Sequence, residues 1–261
     1  NEKFQGVYEL CEQCQINPNR VDISEPAEDY TDTDIGYYLE LDNYATSDED
    51  NHYISMDYEN ATVTDINGET RQFVPAEYSI KNDLYSQNQI DFIDKYLNNL
   101  FKIVYEACEN GKYYKFDENY DLVDSDVTTA EEAVSNVMDI DSVRDMYILY
   151  EIVHDYDCGE GSFYMCVDLS KDSKCPKLKF TSPWDFNWAY NDSTEKYYAG
   201  AFTDKNFVAK KGDRSNPWFI ILCKQDWFMD AVKEKWTEMS QEKLLQGCIK
   251  TEREYLKEYD A

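Results

Sequence analysis

The stretch from 155 to 187 constrains this chain most: D-Y-D-C-G-E-G-S-F-Y-M-C-V-D, a polar turn, then K-L-K-F-T-S-P-W-D-F-N. Two apolar, aromatic segments, 163–167 and 177–180, enclose the polar loop 171–176, which predicts a short β-hairpin. A hairpin brings its ends together, so the carboxylates of Asp157 and Asp185 are expected to meet there. Converging carboxylates repel. A hard divalent cation such as Mg2+ relieves that repulsion through oxygen ligands and leaves positions open for phosphate oxygens. The other reading is that both acidic motifs are solvated turns in an acid-rich chain.

The run E-I-V-H-D-Y-D-C-G-E-G-S-F-Y-M, followed by P-W-D-F-N-W-A-Y, resembles the signature of the CotH kinase family, atypical protein kinases that are secreted or belong to spore coats. The resemblance implies an α+β, protein-kinase-like fold: a small antiparallel sheet followed by a mostly helical C-terminal part. It implies that Asp157 is the catalytic aspartate, orienting a Ser or Thr hydroxyl, and that Asp185 holds Mg2+ against ATP. Four residues separate Asp157 from Ser162, the spacing of a protein-kinase catalytic loop. Ser162 and Asn187 fall on the remaining metal positions, where better-known members carry Asn and Asp. A hydroxyl and an amide are neutral ligands, so both changes weaken the expected metal site. Glu12 and Trp184 are the cofactor-binding candidates, Glu12 being equally readable as a structural residue. G-V-Y-E-L-C-E-Q, G-Y-Y-L-E-L-D and N-P-W-F extend the likeness over most of the chain.

Composition narrows the partners. With 261 residues, 42% of them apolar and 15% aromatic, the chain is long and apolar enough for one domain with a full core. A net charge of −29 speaks against nucleic acid and anionic membranes and suits a basic protein substrate. No apolar run reaches the roughly 18 residues of a membrane span. The opening N-E-K-F-Q-G-V-Y does not read as a signal peptide and begins almost inside a strand, 4–13, so the chain is expected to be a piece of a longer extracellular or cell-surface protein. The strands before it would carry the family's phosphate-pairing basic residue. No G-x-G-x-x-G and no Walker motif occurs.

Cys11 and Cys14 form a C-x-x-C without a second pair or clustered histidines, which argues against zinc. Cys158 and Cys166 are candidates to pair across the hairpin. Strands are expected at 36–44, 52–58 and 71–78, the last two joined by a turn at Ile66-Asn67-Gly68. A long helix starts from the capping box at Ser86 and ends near Gly111; a second starts at Thr128-Thr129; a third is capped by Asp141 and leads to Asp155. Helices follow from Asn216-Pro217, from Asp226, and from Ser240 to about 257. Between 190 and 214 the chain reads as a substrate loop or a plain excursion, with a basic cluster of Lys205, Lys210, Lys211 and Arg214. Two further readings stand beside the kinase: a CotH-like domain that has lost catalysis and serves as a binding or adhesion module, and a carbohydrate-binding surface built on Tyr and Trp.

Overall fold

The computed structural model describes residues 13–47, 52–56, 58, 61–64, 70–73, 75–153, 155, 157–189, 209–210 and 213–259; within these, the side chains at 71, 157, 188, 209, 210, 213, 214, 258 and 259 lie outside the description. It is a mixed α+β chain built around one antiparallel sheet. In chain order come β1 (Gly36–Leu41), β2 (Tyr53–Met56), β3 (Thr62–Thr64), β4 (Thr70–Gln72), β5 (Ala76–Ile80), α1 (Gln87–Tyr105), β6 (Tyr114–Phe116) and β7 (Leu122–Asp124). Then follow α2 (Ala130–Val137), α3 (Ile140–Val153), β8 (Phe163–Asp168), β9 (Lys179–Thr181), β10 (Ala209–Lys210), β11 (Asp213–Arg214), α4 (Pro217–Leu222), α5 (Asp226–Gln241) and α6 (Leu244–Tyr259). No described helix is long and apolar enough to cross a membrane.

Among the described residues the main sheet has five strands in the order β2-β5-β1-β8-β9, every neighbour antiparallel. The expected hairpin is β8–β9, with Tyr164 opposite Thr181. Its first strand lies deep in the sheet, along the whole of β1 from Gly36–Asp168 to Leu41–Phe163. The expected strand at 71–78 divides in two. Pro75, which has no N–H for a ladder, separates β4, paired with β3, from β5 of the main sheet. The expected 66–68 turn and the 4–13 strand lie outside the described residues.

Alternation along the strands sorts the side chains onto two faces. Tyr37, Leu39, Phe163, Met165, Tyr78 and Phe180 enter the main core, which α1, α3 and α4 cover. All six residues of α4 are buried, Trp218 and Phe219 fully. The opposite face of β1 and β8 presents Tyr38, Tyr164 and Cys166 to Val21 and Ile23, and the two tyrosine rings stack at 5.4 Å. Asp168, 3% exposed, secures that covering segment by accepting from the Ser24 amide at 2.9 Å and the Ser24 hydroxyl at 3.0 Å. Gly36 donates its amide to the Ser24 carbonyl at 3.0 Å, and a Cβ there would stand 2.5 Å from that same oxygen and 2.9 Å from the Ile23 Cβ. Both obstacles are fixed by the fold. Gly36→Ala is therefore expected to cost about 1–3 kcal/mol, read as a lower urea midpoint at unchanged slope.

Helix ends follow local chemistry. The Ser86 Oγ accepts from the Gln89 amide at 3.3 Å, and the Gln89 Oε1 accepts from the Ser86 amide at 3.2 Å, completing the capping box. Gln89 is fully buried because its Nε2 also donates to Tyr30 O and Asp32 O, tying the irregular loop 24–34 to the helix start. Past Tyr105 the helix continues as one π turn to Gly111, which ends it at φ 62°. The third helix is capped by Asp139, not Asp141: the Asp139 Oδ1 accepts from the Ser142 amide at 3.1 Å, while Asp141 in the first turn pairs with Arg144 at 2.6 Å. Asp226 is the first residue of its helix and Gln225 the cap, with no side-chain capping bond. Ser240 starts no helix. It lies in the last turn of α5, and the break falls at Lys243, φ 55°. At the β9 rim, Leu178 donates to Val137 O and accepts from the Asp139 amide, both at 2.9 Å, so the α2–α3 joint is stitched to the hairpin.

Candidate functional site

The two ends of the hairpin meet through Ser162 and Asp185. The Ser162 hydroxyl donates to the Asp185 Oδ2 at 3.3 Å, linking the residue just before β8 to the residue four beyond β9. Both have left-handed backbones, φ 54° for Ser162 and 58° for Asp185, as does Ser182 at 51°. Each such non-glycine residue costs about 1–2 kcal/mol. Three within one hairpin's ends make a strained corner, and strain of this kind collects at functional sites. Asp185 is exposed and Ser162 half-buried.

Asp157 opens the 3₁₀ turn Asp157–Gly159; its carboxylate lies outside the described residues, so the expected meeting with Asp185 is not among the described contacts. The backbone around it is fixed from three sides. The Asn43 Nδ2 donates to Gly159 O and to Glu160 O, both at 3.1 Å, and the Asn43 amide donates to Glu160 O at 2.9 Å. From the other side the Asn216 Nδ2 donates to Cys158 O at 2.9 Å. From below, the Cys158 side chain is buried in the main core, and the amide of buried Asp155 donates to Tyr150 O at 3.2 Å. A buried, hydrogen-bonded backbone of this kind is a rigid platform for a site.

Tyr150 also links the two acidic motifs. Its ring lies 5.5 Å from Phe163 and 5.4 Å from Phe186, the residue after Asp185. The last turns of α3 thus carry the 155–160 loop and touch the start of the 3₁₀ turn Phe186–Trp188. Asn187 sits in that turn with its side chain exposed.

Trp184 is half-buried in the second cluster beside Cys14, Ile16 and Cys175. With Ser182, Pro183, Gln13, Asn19 and Arg20 it lines a cavity of about 270 Å³ between the covering segment and the strained corner. Small-molecule sites usually measure about 300–1,000 Å³. Glu12 lies outside the described residues, as do 190–208 and the side chains of the basic cluster Lys205, Lys210, Lys211 and Arg214. The suggested Cys158–Cys166 pairing is not what the fold presents: Cys158 packs in the main core and Cys166 on the opposite face of the sheet.

Sequence reasoning missed Asn43 and the second role of Asn216. The Asn216-Pro217 pair signals a helix cap, and its Oδ1 does accept from the Trp218 and Phe219 amides at 3.1 and 3.3 Å. Nothing local signals that the other end of the same amide reaches residue 158. Among the described residues no group of three or more His, Cys, Asp or Glu side chains is arranged to hold a metal ion. The donor chemistry at the corner nevertheless suits a hard cation: one exposed carboxylate, one hydroxyl and one amide two residues on, all through oxygen. Compared with family models, with curated proteins and with solved structures, the chain matches none.

Proposed function

We propose that the chain is an ATP- and Mg2+-dependent protein Ser/Thr kinase of the CotH type, with an atypical kinase-like fold, acting on a basic extracellular or cell-surface protein. The observation that carries this reading is the closure of the hairpin by Ser162 on Asp185 with both backbones held left-handed. Strain at one point, directed at one exposed carboxylate, is an arrangement a purely structural turn has no need of. Asp185, Ser162 and Asn187 would hold the metal, and Trp184 at the mouth of the neighbouring cavity would contact the nucleotide. Bound there, Mg2+ supplies charge neutralisation for the phosphates. The protein's own contribution is positional. The Asn43 and Asn216 bonds keep the 157–160 loop in place, so Asp157 is presented to a substrate hydroxyl without reorganisation.

The test separates binding from transfer. Asp185→Ala is expected to weaken Mg2+-dependent ATP binding at least about tenfold, since a contact to a charged group is worth about 1.5–3 kcal/mol. Asp157→Ala is expected to keep that affinity and lose roughly 10²–10⁴-fold in phosphate transfer to a basic Ser/Thr protein. Calorimetric titration and a radiolabelled transfer assay read the two effects. Unchanged ATP–Mg2+ affinity in Asp185→Ala counts directly against the assignment.

The second reading, a CotH-like domain that binds protein or cell-wall polymer without catalysis, draws on the neutral ligands at Ser162 and Asn187. Under it, wild type shows no transfer to any basic substrate.

A further inference from the structure

Cys166 and Cys175 lie nine positions apart on the hairpin and both reach the same apolar cluster. Cys166 stands in the middle of β8, opposite Lys179, with its side chain in the cluster of Tyr38, Tyr164, Val21 and Ile23. Cys175 returns to the same cluster from the far end of the loop. Its backbone is fixed at both polar groups: its carbonyl accepts from the Asp168 amide at 2.8 Å and its amide donates to the Ser173 Oγ at 2.9 Å. The loop is held further by Lys174 on Asp22 at 3.0 Å. The Cys175 thiol donates to Lys177 O at 3.6 Å and lies within hydrogen-bonding reach of the Cys166 thiol.

We propose that Cys166 and Cys175 are a disulfide site that locks the hairpin loop to β8 in an oxidising compartment. This stands independently of the phosphotransfer reading. The two sulfurs have different roles. Cys175 is half-buried, and the hydrogen bond from Cys166 lowers its thiol pKa. The Cys166 thiol, buried and donating, is raised by that same hydrogen bond and by desolvation. The thiolate is the nucleophile, so Cys175 reacts first. With an external disulfide such as oxidised glutathione, the Cys175 thiolate attacks one sulfur, the external S–S bond breaks, and one glutathione thiolate leaves. Cys166 then loses its proton and attacks the Cys175 sulfur, expelling the second glutathione thiolate. Two protein thiols are oxidised, and one external disulfide is reduced to two thiols that take up the two protons the cysteines gave up. The backbone is held at both positions, Cys166 in the β8 ladder and Cys175 by its bonds to Asp168 and Ser173.

The experiment uses the whole chain treated with oxidised glutathione, then alkylated under denaturing conditions without reductant, digested with trypsin and mapped by mass. Trypsin cuts at Lys171 and Lys174, between the two cysteines, so a linked peptide pair reports the bond. The expected result is a Cys166–Cys175 cross-link and a melting temperature raised by about 5 °C, both reversed by dithiothreitol. Cys166→Ser is expected to trap Cys175 as a glutathione adduct, and Cys175→Ser to leave Cys166 unmodified. Alkylation of both sulfurs in the wild type, a Cys175 link to Cys14 or Cys11, or a melting temperature that oxidation does not move would each overturn the proposal. The mapping on the wild type holds even if either serine variant fails to fold.

Discussion

Replacing Asn43 by alanine is expected to cost about 3–5 kcal/mol, a large share of the roughly 5–15 kcal/mol that holds a domain together. The side chain is 1% exposed and serves three backbone groups: it donates to Gly159 O and Glu160 O at 3.1 Å and accepts from the Glu77 amide at 3.2 Å. Alanine leaves Gly159 O and the Glu77 amide without that partner in a place water reaches poorly, while Glu160 O keeps the main-chain amide of residue 43; each orphaned group costs about 1–3 kcal/mol. Urea unfolding should show a midpoint well below wild type at unchanged slope. Asn216→Ala removes a helix cap and the Cys158 O bond, at about 2–4 kcal/mol. Because both side chains hold one loop, the double variant should lose less than the sum of the singles by at least about 0.5 kcal/mol. Strict additivity would mean that 157–160 is not one mechanical unit. Asn216→Ser offers a finer check, since serine keeps a capping oxygen and cannot reach Cys158 O. It should recover the cap's share alone.

Alkali is expected to unfold the protein steeply. Desolvation raises the phenol pKa of Tyr37, Tyr96 and Tyr147 well above the ordinary 10.0, and no partner offsets it. A group whose folded pKa exceeds its unfolded value stabilises the fold fully below the unfolded value. That stability is lost as pH climbs from there toward the folded one. The loss therefore begins near pH 10 and amounts to about 1.4 kcal/mol per pH unit for each phenol, about 4 kcal/mol per unit for the three. Measured together, the late part of the phenolate absorbance and the loss of far-ultraviolet circular dichroism should share a midpoint. Full phenolate formation with the native spectrum intact would contradict the burial of these rings.

What could be read in advance was local. The hairpin declared itself through alternation and turn residues, and the caps at Ser86, Thr129 and Asn216 are short-range patterns that long-range packing did not need to override. The cap of α3 was misassigned because D-I-D-S offers two acids two positions apart, and only the stitch between Asp139 and Leu178 selects the first. The chain from 226 to 259 has helical character throughout, so the break at Lys243 left no local mark. The site divides in the same way. A two-stranded turn forces its ends together, which is why Asp157 and Asp185 were expected to meet; the structure describes Ser162 on Asp185 there, and Ser162 had been singled out only through the resemblance. Asn43 was not legible, since its partners in the site loop, Gly159 and Glu160, lie more than a hundred residues away and no short motif encodes such a distance.

A flat sheet with open margins invites strangers to add strands, and the stitching at Leu178 bears on that hazard. The outermost strand on the hairpin side is only three residues long, and the chain's own α2–α3 joint occupies the amide and carbonyl of the residue that leads into it. Neighbouring copies in a concentrated solution thus find little unclaimed ladder on this margin; among the described strands of this sheet, the opposite border is the four-residue β2.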